Sequence, residues 1–85
     1  MIILLLNECK KVDIYKVIAR NIKKYRLYNQ MTQEELARKS GYSYPYIRRV
    51  EGKNTPKNFS IQTLYEIAVA LNIDIKKLFD GIDIY

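Results

Sequence analysis

Residues 32–51, TQEELARKSGYSYPYIRRVE, contain two short helical segments with a glycine between them. Thr32 followed by Glu35 matches the capping box, in which two side chains satisfy the free amide groups at a helix start. Gly41 is the residue type that most easily takes the left-handed conformation that ends a helix. Ser43 is a preferred residue for starting the next one. The stretch therefore predicts one helix that ends before the glycine and a second that runs to the end of the stretch.

Helical spacing continues on both sides of this stretch. After Asp13, apolar residues recur at helical intervals and form one stripe: Ile14, Ile18, Ile22 and Tyr25. Ser60 and Asp74 are candidate N-caps for two later helices. The residues of the fourth helix that are predicted to point inward are Ile61, Leu64, Ile67, Ala68 and Leu71. The last helix carries Ile75, Leu78 and Phe79. The sequence thus predicts an all-α fold, a compact domain of five helices.

Positive charge is concentrated in the middle of the chain. The 85 residues include 15 Lys and Arg against 9 Asp and Glu, a formal net charge of +6. Residues 16–57 hold eleven basic and three acidic residues, so that stretch alone carries +8. This asymmetry indicates a polyanionic partner, either nucleic acid or an anionic membrane surface. A solvated basic surface is the alternative.

Two short helices joined by a tight turn with glycine are typical of a helix-turn-helix unit, whose second helix enters the major groove of DNA. Residues 32–51, together with SIQTLYEIAVALNIDIKKLF at 60–79, resemble the phage-repressor (XRE-type) helix-turn-helix family. The resemblance covers about residues 14–79. The matching positions are Thr32, Gln33, Glu34, Glu35, Leu36, Ala37, Gly41, Ser43, Ile47, Glu51, Leu64, Ile67, Ala68 and Leu71.

Three features depart from the family pattern. Gln30 stands where the family commonly has glycine at the end of the first helix. The loop over 52–59 is longer than usual, and Pro45 is an unusual residue at an exposed position of the second central helix.

The outward face of that second helix is the predicted DNA-reading surface. Ile47 and Val50 are apolar and share a face with Glu51, so this face is predicted to be buried. The side chains expected to project away from it and contact bases are Tyr44, Pro45, Arg48 and Arg49. Arginine can bond O6 and N7 of guanine in a bidentate manner. Phosphate contact by either arginine is the alternative.

A second set of residues is expected to contact phosphates, which position a protein on DNA without reading its sequence. Gln33 lies beside free helix-terminal amides that favour phosphate, and the resemblance implies a phosphate contact for it. The full set is Gln33, Ser43, Tyr46, Lys53, Asn54 and Lys57. The alternatives are capping for Ser43, packing for Tyr46 and solvent exposure for the loop residues.

Two groups of charged residues are interpreted differently. The resemblance implies that Arg26 pairs with Glu51, and an isolated buried carboxylate would be costly, so both are predicted to be structural. A basic stripe on the first helix is predicted to be a solvated face, with DNA contact as the alternative. It consists of Lys16, Arg20 and Lys24.

Composition argues against catalysis. The chain has no His and one Cys, which excludes a Ser-His-Asp triad, a His/Cys zinc cluster and an internal disulfide. No glycine-rich phosphate loop is present. We expect no enzymatic activity, no metal and no cofactor. Lone Cys9 suits a reducing compartment, so we expect a cytoplasmic protein. The apolar run Met1–Leu6 is far shorter than the roughly 20 residues of a membrane span, so we expect no membrane insertion and no membrane partner. A peripheral membrane protein that uses this run together with the basic stretch is the alternative.

The predicted organisation is an N-terminal apolar arm over 1–11, a DNA-binding domain over 12–80 and a C-terminal tail over 81–85. Both terminal segments are compatible with short β-strands. A single helix-turn-helix reads only a few base pairs, so useful specificity normally requires two copies. We therefore expect a homodimer, joined through the terminal segments or, as the resemblance implies, through the last helix. A disordered arm is the alternative.

Together these observations predict a sequence-specific double-stranded DNA-binding transcriptional regulator that acts as a dimer on an operator. A phage-like repressor, a restriction–modification controller and an antitoxin are all compatible with the sequence. A protein-interaction module on the same fold, which does not bind DNA, is the alternative outside this class. The sequence identifies no protein partner for it.

Overall fold

The computed structural model describes residues 12–82, which form four α-helices and one 3₁₀ helix and contain no β-strand. The helices are α1 (Ile14–Tyr28), α2 (Gln33–Ser40), α3 (Tyr44–Glu51), α4 (Ile61–Ala70) and the 3₁₀ helix (Ile75–Phe79). The predicted all-α fold is confirmed. The N-terminal arm and residues 83–85, with the strands predicted there, lie outside the described residues.

Each helix starts at the N-cap that the sequence predicts. The capping box at α2 is complete, because Thr32 Oγ1 accepts a bond from the Glu35 amide at 3.0 Å and the Glu35 carboxylate accepts one from the Thr32 amide at 2.9 Å. The other side chains that accept bonds from backbone amides at helix starts are Asp13, Ser43, Ser60 and Asp74. The last element is a 3₁₀ helix of five residues, a type found in short pieces.

Three helices end in the same way, with one residue at positive φ. These residues are Gln30 (φ 56°) after α1, Gly41 (φ 82°) after α2 and Asn72 (φ 58°) after α4. In each case the next amide donates to the carbonyl five residues earlier, as from Met31 to Arg26 at 3.0 Å. Glycine takes this conformation without a steric penalty. Gln30 does not, so the departure from the family's glycine places a strained residue after α1.

One apolar core lies between the helices. Its fully buried members include Ile22, Leu36, Ile47, Val50, Ile67, Leu71 and Leu78. The prediction that Ile61 points inward is wrong, because its side chain is 76% exposed. Ile61 is the first residue of α4, and helical side chains tilt toward the N-terminus, so it projects beyond the end of the core. Within residues 12–82, no helix is both long and apolar enough to span a membrane.

A buried asparagine fixes the last turn of the domain to the first helix. Asn21 Nδ2 donates to the carbonyl oxygens of Leu78 at 2.7 Å and Asp80 at 2.8 Å. Tyr25 adds a bond from its hydroxyl to Asp80 Oδ2 at 2.6 Å. The 3₁₀ helix is therefore held against α1. Helix α3 packs against α2 and also contacts α1.

Candidate nucleic-acid interface

Helix α3 has one buried face and one exposed face. Ile47 and Val50 are completely buried, whereas the four residues predicted to contact bases are all exposed: Tyr44, Pro45, Arg48 and Arg49. The predicted division of this helix into an inner and an outer face is confirmed. Contact of the outer residues with bases stays a prediction.

The two arginines of the outer face lie against tyrosine rings. The Arg48 guanidinium carbon is 5.6 Å from the centroid of the Tyr44 ring, and that of Arg49 is 5.8 Å from the centroid of the Tyr46 ring. Both distances fall within the range of cation–π attraction. Neither arginine belongs to the ion pairs formed within residues 12–82. Their N–H groups are therefore free to donate to an incoming ligand.

Tyr46 connects this surface to the rest of the domain. It is half-buried, and its ring stacks on that of Tyr42 with 5.2 Å between centroids. The Tyr42 hydroxyl in turn lies 2.6 Å from Glu66 Oε1 and 3.0 Å from Thr63 Oγ1, both on α4. The bond to Glu66 raises the pKa of Tyr42, and it lowers the pKa of Glu66. The packing alternative for Tyr46 is thus observed, without excluding a phosphate contact from its exposed edge.

Burial is also the main cause that raises the pKa of Tyr46 above its ordinary value. The sequence pairs Tyr42 with Ile47 as a hydrophobic staple, in which the residue before an N-cap packs against one in the helix. Its place immediately before the α3 N-cap is the signal that it steadies the start of that helix.

The inner end of α3 contains a buried ion pair. Arg26 Nε and Nη2 donate to the two carboxylate oxygens of Glu51 at 2.8 and 2.9 Å, and Nη1 donates to the Met31 carbonyl at 2.8 Å. The two side chains are only 8% and 2% exposed. The pair implied by the family resemblance is confirmed. It joins the end of α1, the turn that follows and the end of α3.

Gln33 also contacts this pair. Its amide Nε2 donates to Glu51 Oε1 at 3.1 Å, from the first position of α2. The amide nitrogen carries a second hydrogen that this bond leaves available. The predicted phosphate contact of Gln33 therefore stays compatible with its position beside Glu51.

The remaining predicted phosphate contacts lie at three different places. Ser43 accepts a bond from the Tyr46 amide at 3.2 Å as the α3 N-cap. Lys53 and Asn54 are exposed in the loop after α3. Lys57 lies farther along, with Nζ 3.2 Å from Asp13 Oδ2 at the start of α1.

The Lys57 contact has an electrostatic effect on the α1 N-cap. Desolvation acts to raise the pKa of Asp13, but the bond from Lys57 and those from the Lys16 and Tyr15 amides outweigh it and hold the pKa below its ordinary value. The lysine is itself 67% exposed. Because exposed ion pairs are weak, Lys57 can exchange Asp13 for a phosphate at small cost.

The basic stripe predicted on α1 is divided between two surfaces. Lys16 and Arg20 line a groove of about 350 Å³ that runs between α1 and the loop after α3. Lys24 instead lies with Nζ 5.1 Å from the centroid of the Tyr25 ring and lines a second depression beside Asp80, and Arg20 lines both this depression and the groove. The groove also contains two lysines from different parts of the chain, Lys23 and Lys53. The sequence predicts a phosphate contact for Lys53, whereas it does not single out Lys23.

The described part of the chain offers hydrogen-bond donors and positive charge rather than metal ligands. Residues 12–82 contain no group of three His, Cys, Asp or Glu side chains that could hold a metal ion. The arrangement is chemically suited to binding a polyanion, with arginines on an exposed helix and lysines beside it.

Comparison with known proteins agrees with this geometry. A sequence profile of the helix-turn-helix family matches residues 22–78. The control protein C.SmaI of Serratia marcescens is 40% identical over 67 residues, covering 79% of this chain and 77% of the relative.

Two solved structures of restriction–modification controller proteins have a similar fold. For wild-type C.Esp1396I the TM-score is 0.72 at 30% identity, covering 85% of this chain and 92% of the other. For C.AhdI of Aeromonas hydrophila the TM-score is 0.69 at 28% identity, covering 76% and 96%. The matched region contains α2, the turn at Gly41 and α3, where the exposed arginines lie. On this evidence the chain belongs to the helix-turn-helix family.

Proposed function

We propose that this protein is a sequence-specific double-stranded DNA-binding transcriptional regulator. The observation that carries the proposal is the outer face of α3, where Arg48 and Arg49 lie exposed on the second helix of a helix-turn-helix unit. Buried residues on the opposite face fix the orientation of this helix. Guanidinium groups presented in this way match the acceptor pattern of guanine in the major groove. No step of the proposed action requires catalysis.

The regulator is proposed to act as a homodimer on an operator. A helix-turn-helix dimer places its two recognition helices about one DNA turn apart. Within residues 12–82, helix α4 presents an exposed apolar stripe at intervals of four residues, with Ile61, Tyr65 and Val69 exposed by 76%, 54% and 58%. Phe79 on the 3₁₀ helix adds a further exposed ring. A second copy of the chain would cover such surfaces, and the terminal segments could extend the same interface.

Within this class, control of a restriction–modification system is the finer proposal. It is supported by the likeness to C.SmaI and to two solved controller proteins. If the protein controls transcription of a restriction–modification system that includes its own gene, it is expected to protect DNA upstream of that gene from cleavage by DNase I. Protection only at unrelated sites would favour a phage-like repressor, and inhibition of a neighbouring toxin would favour an antitoxin.

The experiment that tests the main proposal is selection of bound sequences from a random duplex pool, followed by titration of the selected duplex at several salt concentrations. A dimer with three to four phosphate contacts per subunit should give a slope of about −6 for log K against log salt. A slope shallower than about −2, or recovery of no preferred sequence, would contradict the proposal. Mass measurement of Tyr65→Glu in solution tests the dimer surface, because a charge in the interface should give monomers with weakened operator binding.

A further inference from the structure

We propose that the groove between α1 and the loop after α3, called here the α1 groove, is a second DNA-backbone site that takes phosphates outside the base pairs contacted by α3. This inference rests on the proposed function and adds a contact surface to it. The α1 groove is lined by Lys16, Ala19, Arg20, Lys23, Glu51, Gly52, Lys53 and Thr55.

The arrangement of its positive charges is the first argument. Lys16, Arg20 and Lys23 follow one another at intervals of four and three residues along α1, so they form one row about 10 Å long. Lys53 faces this row from the loop after α3. A row of cations with a further cation opposite suits an extended chain of phosphates better than a single small anion.

The absence of a neutralising partner is the second argument. The ion pairs within residues 12–82 are Arg26–Glu51 and Asp13–Lys57, and neither uses a cation of the α1 groove. Glu51 is the one acidic residue that lines it. The Glu51 carboxylate is 2% exposed and already accepts bonds from Arg26 and Gln33, so little negative charge reaches the α1 groove.

The position of the α1 groove is the third argument. Its lining includes Glu51 and Gly52, which are the last residue and the C-cap of α3. A duplex held by Arg48 and Arg49 on the same helix must continue past this end. The DNA phosphates next to the contacted base pairs would therefore lie beside the cations of the α1 groove. Cations that repel one another in the free protein gain their counter-charge only in the complex.

The test compares two double variants that remove the same charge. Lys16→Gln/Lys23→Gln removes two positive charges from the α1 groove, whereas Lys24→Gln/Lys39→Gln removes two from exposed lysines outside it. Each is titrated with a duplex recovered by selection from a random pool. One duplex ends at the outermost base pairs whose identity the selection fixes, and the other extends about 5 bp, half a DNA turn, beyond them on each side.

On the extended duplex, Lys16→Gln/Lys23→Gln should bind about tenfold or more weakly than the wild type at 0.1 M salt. The salt slope should flatten by about two units per subunit, since each phosphate contact contributes about 0.9. On the trimmed duplex it should match the wild type. Its melting temperature should stay unchanged or rise, because two repelling charges are removed. The control variant should bind both duplexes nearly as the wild type does.

Equal losses on the two duplexes, equal losses in the control variant, or no loss at all would overturn the proposal. So would tighter binding of the wild type to vesicles of anionic phospholipid than to the extended duplex, because the α1 groove would then serve a membrane. Failure of the proposed function has a different appearance. If the proposed function fails, the wild type selects no preferred sequence and Arg49→Ala leaves its affinity for DNA unchanged. Salt-sensitive binding of random duplex that depends on the α1 groove is still compatible with that outcome.

Discussion

The two faces of α3 use the same chemical group in opposite ways. At the inner end, the Arg26 guanidinium is buried and bonded to Glu51 and to the Met31 carbonyl. On the outer face, the guanidiniums of Arg48 and Arg49 are exposed and rest only against tyrosine rings. The inner arginine directs a bond from each of its three nitrogens to a partner within the protein, whereas the outer arginines form no ion pair within residues 12–82. On the proposed function, stability and recognition depend on different arginines of one small domain, and substitutions should separate the two.

The largest effect is expected at the inner face. Glu51→Ala leaves Arg26 as a buried charge without its partner, and this should lower the free energy of unfolding by about 3–5 kcal/mol. Urea unfolding followed by circular dichroism measures it. The exposed acid Glu34 on α2 provides the control, since Glu34→Ala should change stability by no more than about 0.5 kcal/mol. If the two variants are equally stable, the inner pair does not hold the domain together.

The outer face should respond in specificity and not in stability. Arg49→Ala should reduce discrimination between the preferred base pair and its alternatives by about 1–3 kcal/mol at one or two positions of each half-site, with no change in melting temperature. Competition binding with single-base variants of the selected duplex measures this. Arg38→Ala, at the exposed end of α2, is the matched control. An equal loss on selected and random DNA would mean that Arg49 contacts phosphate and not bases.

Lys57 tests whether one cation can contribute both to an ion pair within the protein and to DNA binding. Lys57→Ala should weaken binding to all duplexes alike and flatten the salt slope by about one unit. Asp13→Asn is the informative companion, because asparagine retains the N-cap while it releases Lys57 from its ion pair. DNA binding by Asp13→Asn should equal or exceed that of the wild type. Weaker binding by this variant would show that the ion pair positions Lys57 and does not compete with phosphate.

The smallest expected effect on stability concerns backbone strain close to the Arg26–Glu51 pair. Gln30 lies one residue before Met31 with a φ of 56°, where glycine would avoid the steric cost. Gln30→Gly should therefore raise the free energy of unfolding by about 0.5–1 kcal/mol, the strain released less the added freedom of the unfolded chain. Thermal unfolding measures the gain. Destabilisation would instead show that the Gln30 side chain makes a compensating contact.

Local features of this molecule were predictable from the sequence because their causes are local. The capping box at Thr32 and the left-handed Gly41 depend on residues within one turn, and both are present. The same reasoning wrongly predicted that Ile61 points inward, because periodicity gives the direction of a side chain but not where the core ends. The positive φ of Gln30 was not predictable from its residue type, which disfavours that conformation.

Features that join distant parts of the chain needed other information. The Arg26–Glu51 pair was inferred from the family resemblance and not from spacing. The α1 groove unites Lys23 with Lys53, and no pattern within either helix indicates that they meet. For the same reason the contact between Gln33 and Glu51 became visible only in the folded domain.

The bonds from Asn21 to the carbonyls of Leu78 and Asp80 have a consequence for synthesis on the ribosome. They close a loop of 57 residues to Leu78 and 59 to Asp80, so the first helix meets its final neighbour only when nearly all of the described chain has been made. Such a long closure is slow compared with the local pairing of α2 and α3. During translation α1 must wait with part of its apolar stripe uncovered. The domain should therefore fold in a single late step, and a chain that ends before Leu78 should form no stable domain.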